Sequence, residues 1–180
     1  MFTGRENELI YLNKKFISKD SQLIVMYGRR RIGKSALLKH FGEKKNFLYF
    51  EGIEGQETAL QIKSVLHDFS KQTSQPIYSK LSLENWIEFF DLFTEYLENQ
   101  KKKTIIVFDE LQWISCGQGK FVSLFKKYWD QSWKNQNTMI VLCGSVAHFM
   151  VKKVINSKAL YGRFTGEMHI ASLRPSDSRK

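Results

Sequence analysis

Residues 28–35, GRRRIGKS, set two glycines, a lysine and a serine in the frame G-x-x-x-x-G-K-S. Such a frame can cradle phosphate when it follows a strand and opens a helix. The turn aims backbone N–H groups at the anion, and the helix N-terminus adds the positive end of its dipole. Gly33 lets the backbone approach closely, Lys34 neutralises the β- and γ-phosphates, and the Ser35 hydroxyl is a ligand for Mg²⁺. The nucleotide-binding set is the loop itself: Gly28, Arg29, Arg30, Arg31, Ile32, Gly33, Lys34, Ser35 and Ala36.

Two further strand ends offer matching chemistry. TIIVFDE runs from apolar residues into Asp109 and Glu110. An acid at such an end holds Mg²⁺ beside a P-loop, and the acid after it can serve as general base toward water. MIVLCGS ends in Ser145, whose hydroxyl is placed to sense a γ-phosphate. Ligands in open α/β sheets bind at the carboxyl ends of the strands, which is where all three segments converge.

The elements needed to position them are legible as an alternation. The pattern predicts a helix over 5–17, a strand over 22–27, a helix over 34–41, a strand over 47–50 and a helix over 57–71. A helix from Ser82, as N-cap, to Asn99 follows. Strands are expected at 104–108, 139–143 and 167–173, with helices over 118–133 and 146–155. The fold class is therefore α/β with a mostly parallel five-stranded sheet, covered on both faces. Trp86, Phe89, Phe90 and Phe93 could form a base-stacking platform, but their i, i+3, i+4, i+7 spacing reads as a core-facing stripe.

Composition sets the outer bounds. The 180 residues make one domain with a core of its own, and 42% hydrophobic with 26% charged residues describes a globular protein. No apolar run reaches membrane-spanning length and the N-terminus lacks signal-peptide character, so the expected location is cytoplasmic, with no membrane insertion. Cys116 and Cys143 show neither disulfide nor metal-ligand spacing. The formal charge of +10 permits attraction to nucleic acid, to an acidic partner or to anionic lipid. Lys101–Lys103 reads as a solvated helix end. Arg29–Arg31 lie beside the phosphates, to serve the cradle, face a partner subunit or pair with Glu51 or Glu54.

Taken together, FTGRENEL, YGRRRIGKS, VFDELQ, LCGS and ALYGRFTGEMHIASLRP resemble the archaeal-type ATPase family, which also occurs in bacteria. That family lies among P-loop ATPases near the AAA+ and STAND proteins. The resemblance implies a three-layer P-loop core with sheet order 5-1-4-3-2 over residues 1–175, before a polar tail at 176–180. It implies that Gly4, Arg5 and Glu6 pack near the adenine. It implies that Arg163, in LYGR, meets phosphate within the chain or across a self-association contact. Helical and winged-helix regions are expected beyond the fifth strand in such proteins.

ATP and Mg²⁺ are the expected ligands, with Lys34, Glu110, Ser145 and Arg163 as the catalytic set and Ser35 and Asp109 on the metal. Two other readings share these residues or the basic charge: a slow-turnover nucleotide switch, and a nucleic-acid-binding protein with little ATP dependence.

Overall fold

The computed structural model describes residues 4–172. Five strands, β1 (Gln22–Tyr27), β2 (Asn46–Glu51), β3 (Thr104–Asp109), β4 (Thr138–Gly144) and β5 (Gly166–His169), form one sheet in the order β2-β3-β4-β1-β5. Every pairing is parallel. This is the expected 5-1-4-3-2 order read from the other edge, with β3 and its acidic end between β2 and β4.

The period of two along each strand builds the layers. Leu23, Val25, Leu48, Phe50, Ile106, Phe108, Ile140 and Leu142 face one side. There they meet α3 (Thr58–Thr73), α4 (Trp86–Glu98) and α6 (Gly119–Gln131). Ile24, Met26, Ile105, Val107, Met139, Val141 and Cys143 face the other side, under α1 (Glu6–Phe16) and α2 (Lys34–Gly42). Both sheet faces are covered, so β1, β3 and β4 are apolar along their length, as buried parallel strands must be.

The aromatic helix α4 faces inward. Phe89, Phe90 and Phe93 are fully buried and pack edge-on against Phe50, Phe121 and Trp133. The core-facing reading holds, and these rings are closed to a base.

Several boundaries differ from expectation. Helix α4 starts at Trp86, capped by Asn85, whose Oδ1 accepts from the N–H groups of Ile87 and Glu88 at 3.0 and 3.2 Å. Glu88 Oε1 in turn accepts from Asn85 Nδ2 at 2.9 Å. That reciprocal pair out-competes Ser82, which has no acid three positions on. A short helix, α5 (Leu111–Ile114), follows Glu110 directly, where no separate element was expected. The segment after α6 tightens into a 3₁₀ turn at Trp133–Asn135. The helix expected over 146–155 is α7 (Ala147–Phe149) continued as a π-helical Met150–Ile155. β5 stops at His169; Phe2, Leu173–Pro175 and the tail at 176–180 lie outside the described residues. Among those described, no helix is long and apolar enough to cross a membrane.

Candidate functional site

The loop after β1 is built by close approach and by handedness. A Cβ at Gly28 would stand 2.2 Å from the carbonyl oxygen of Ile170, so β5's continuation packs directly on this glycine. Gly33 has φ of 91°, a left-handed conformation from which α2 starts. Lys34 opens that helix and is buried. Its Nζ donates to the carbonyls of Gly28 at 2.9 Å and Arg29 at 2.7 Å, so the ammonium braces the loop from inside.

The next residue bridges two segments far apart in sequence. Ser35 Oγ donates to Asp109 Oδ2 at 2.6 Å. Tyr49, on β2, donates its hydroxyl to the same oxygen at 2.5 Å, and the Glu110 N–H donates to Oδ1 at 2.8 Å. Tyr49, Val107 and Asp109 share the sheet face that α2 covers, which is why both hydroxyls reach one carboxylate. Burial pushes the Asp109 carboxyl upward, but hydrogen bonds from Ser35, Tyr49, Cys143 and the Glu110 N–H outweigh it and hold the group below the usual carboxylate range. Burial, with the Asp109 charge beside it, pushes the Tyr49 phenol far above its ordinary value.

Glu110 sits at φ of 50°, a turn that sends its side chain away from the strand direction. Its Oε2 accepts from Ser145 Oγ at 2.5 Å and from Gln112 Nε2. Gln112 also donates to Ser145 Oγ at 3.1 Å. Gln112 is buried, and its Oε1 lies against Gly144 with no hydrogen-bond partner among the described residues. The ends of β3 and β4 are thus joined through three side chains. A cleft of about 510 Å³ opens beside Glu110, between Arg30, Glu54, Asp68 and Trp113.

Of the three arginines, Arg30 pairs with Glu54 at 2.9 Å and lies 5.6 Å from the Trp113 ring centroid. Pairing with an acidic neighbour is therefore realised for that arginine, while Arg29 and Arg31 are exposed. Arg5 is buried. Its guanidinium donates to Ile32 O at 2.9 Å and to Ala171 O at 2.7 Å, with Glu8 at 2.8 Å. Arg5 therefore ties the start of α1 to the phosphate-binding loop and to the segment after β5.

Arg163 stands elsewhere. It forms a two-pronged pair with Asp130, with Nε–Oδ1 and NH2–Oδ2 both at 2.8 Å. It precedes β5, and β5 runs parallel to β1 with Gly166 opposite Ile24. Arg163 thus lies at the edge where the strands begin, and Gly28 at the edge where they end. A six-residue strand separates the two edges by roughly 20 Å.

Sequence reasoning missed Tyr49 and Gln112. The signals were a phenol alternating with apolar neighbours in FLYF and an amide two residues past the acidic pair in VFDELQ.

A parallel sheet whose β1 feeds a glycine loop into α2, with an acid from β3 on the loop's serine, defines a P-loop ATPase core. The chain matches, over residues 2–180, the family described as an ATPase domain predominantly from Archaea, and it belongs to that family. It is 34% identical to the uncharacterized protein MJECL04 of Methanocaldococcus jannaschii over 97% of this chain and 36% of that one. Among solved structures it is similar to the Walker-type ATPase PABY2304 of Pyrococcus abyssi, with a TM-score of 0.64 and 26% identity over 94% of this chain and 53% of that one. The Aeropyrum pernix ORC1 protein, solved in complex with DNA, shares the fold with a TM-score of 0.68 at 15% identity, over 99% of this chain and 48% of that one. The chain thus spans about a third of the first relative and about half of each structure.

Proposed function

We infer that this domain binds ATP with Mg²⁺ and hydrolyses it to ADP and phosphate, at the cluster formed by the ends of β1, β3 and β4. The observation that carries this reading is the 2.6 Å contact of Ser35 with Asp109. It brings the hydroxyl of one motif and the carboxylate of another to one point beside the phosphate loop.

The donor set fits Mg²⁺. Among the described residues no group of three His, Cys, Asp or Glu side chains forms a protein metal cage. Mg²⁺ is usually held by one or two carboxylates and substrate phosphates, with waters completing the shell. Ser35 and the anionic Asp109 supply a compatible hydroxyl and carboxylate. When bound, the ion neutralises charge on the β- and γ-phosphates.

Around that centre the residues divide the chemistry. The N–H groups of residues 28–36 hold the phosphate chain, and Lys34 turns its ammonium from the loop carbonyls toward the β- and γ-phosphates. Ser145 donates to a γ-phosphate oxygen. Glu110 accepts a proton from the attacking water as the oxygen–phosphorus bond forms and the bond to the β–γ bridging oxygen breaks. Arg163, remote from its own cradle, acts only on a second copy of the chain.

The test is calorimetric titration of wild type and Lys34→Ala with ATP and Mg²⁺, with phosphate release followed in parallel. Binding in the wild type that is lost in a folded variant, together with steady phosphate release, supports the reading. Tight binding without release would make the domain a nucleotide-dependent switch. A folded wild type that binds no nucleotide would overturn both.

A further inference from the structure

The end of the sheet opposite the nucleotide loop carries a second charged feature. Asn46 opens β2 opposite Thr104 of β3, and Asn46 Nδ2 donates to Thr104 Oγ1 at 2.7 Å. The residues that precede the two strands are therefore neighbours, and they are Lys44, Lys45 and Lys101–Lys103. These five lysines line one cleft of about 740 Å³, whose other walls, among the described residues, are side-chain amides and the Phe16 ring, with no carboxylate.

Two of the lysines have structural work there. Lys45 Nζ donates to the Phe41 carbonyl at 2.5 Å and sits 4.5 Å from the Phe41 ring centroid. Lys103 Nζ donates to the carbonyls of Ser18 at 2.7 Å and Asp20 at 2.8 Å, and burial lowers its pKa. Lys44, Lys101 and Lys102 differ. Each is exposed, and among the described residues none of the three ammonium groups has a hydrogen bond or ion pair. Glu43, next to Lys44, lies 3.2 Å from His40 Nδ1, and Glu98, the nearest acid along the chain to Lys101, accepts from Gln136 Nε2 at 3.4 Å. Lys44 also takes φ of 62°, a position after a helix where glycine or asparagine is usual. The Phe41 carbonyl accounts for Lys45, while among the described residues no side chain pairs with the other three ammonium groups.

We propose that this lysine cleft is a binding surface for the phosphate backbone of nucleic acid, separate from the ATP site. Three ammonium groups on flexible stems suit phosphates of variable position. The concave wall suits a strand better than it suits a flat bilayer, and the amides of Asn99 and Gln100 add neutral polar contacts beside it. Contact with phosphate alone is sequence-independent and salt-dependent.

The experiment is fluorescence anisotropy of the full chain with a labelled 20-nucleotide single strand and the matching duplex, from 50 to 200 mM salt. Wild type is compared with K44Q/K101Q/K102Q and with K152Q/K153Q/K158Q, which removes the same charge elsewhere. If each lysine releases about 0.9 counterion on a duplex, the first triple flattens the log–log salt slope by about 2.7, so between 50 and 200 mM salt its affinity falls by a factor about 40 smaller than the wild type's. Weakened binding in the cleft triple, with the matched triple near wild type and ATP binding retained, is the expected result. Equal weakening in both triples would reduce the effect to net charge and overturn the proposal. So would no binding to either nucleic acid, or capture by phosphatidylserine vesicles in its place. The readout needs no ATP turnover, so it stands or falls apart from the hydrolysis reading.

Discussion

The Tyr49 hydroxyl lies 2.5 Å from Asp109 Oδ2, the same oxygen that accepts from Ser35 at 2.6 Å. Two donors on one buried carboxylate fix its charge as well as its direction. Tyr49→Phe removes one of them and leaves Ser35, Cys143 and the Glu110 N–H. The expected loss of stability is about 1 kcal/mol at neutral pH, typical of one hydrogen bond and larger if the charge is felt. Its pH dependence follows from the depressed carboxyl. The native state holds Asp109 below its unfolded value, so this stabilisation is full above the ordinary carboxylate value and is lost as pH falls through the lower folded one. Tyr49→Phe narrows that depression. The gap between wild type and variant in urea midpoint should therefore shrink on acidification from pH 7 to pH 3. A gap constant with pH would mean that the Tyr49 hydroxyl contributes without acting on the Asp109 charge.

Gln112 presents a different test, because it touches both Glu110 and Ser145. On the hydrolysis reading it is a positioning residue that holds the Glu110 carboxylate against the end of β4. Gln112→Ala should lower kcat by about tenfold, one step of about 1.4 kcal/mol, with little change in ATP affinity. The same substitution in a Glu110→Gln background should cost much less, since groups acting through one another are non-additive. Additive losses would show that Gln112 supports the fold and not the acid.

How much of this was legible before folding depends on the range of the signal. The loop at 28–35 and the DE pair are local, since adjacent residues carry the chemistry and an apolar run announces the strand. The alternation of elements was enough for an α/β sheet, while the strand order came from the resemblance. Tyr49 was hidden because FLYF reads as apolar core, and its partner is 60 positions away. Gln112 was hidden by the left-handed turn at Glu110, which breaks helical periodicity and starts a four-residue helix. Arg163 was the reverse case: LYGR named the residue, but its edge of the sheet follows only from the β1–β5 register.

That placement yields a prediction of its own. Within one chain Arg163 binds Asp130, and both side chains keep partial exposure. After allowance for screening, Arg163→Ala should cost about 1 kcal/mol or less in stability. If the arginine serves a second copy, wild-type turnover per chain should rise with protein concentration, and the variant's should stay low and flat. A wild type with concentration-independent turnover, unaffected by the substitution, would leave the Asp130 pair as the whole role of Arg163.

Two glycines of the phosphate loop should fail for different reasons when changed to alanine. At Gly28 the added methyl meets the backbone carbonyl of Ile170 at 2.2 Å and the Ile32 side chain at 2.9 Å. A backbone oxygen cannot rotate away, so β5 must shift from β1, and overpacking of this kind costs about 1–3 kcal/mol. At Gly33 nothing lies within 4 Å of the new methyl, and the cost is the left-handed φ of 91°, about 1–2 kcal/mol for a residue with a Cβ. The first variant should lose hydrogen-exchange protection of the β5 amides and of the Ile170 N–H that donates to Tyr27 O just beyond β5. The second should keep that protection and lose nucleotide affinity, because the strain falls on the loop and the first turn of α2. Loss of β5 protection in both would mean that the loop and the strand unfold as one unit.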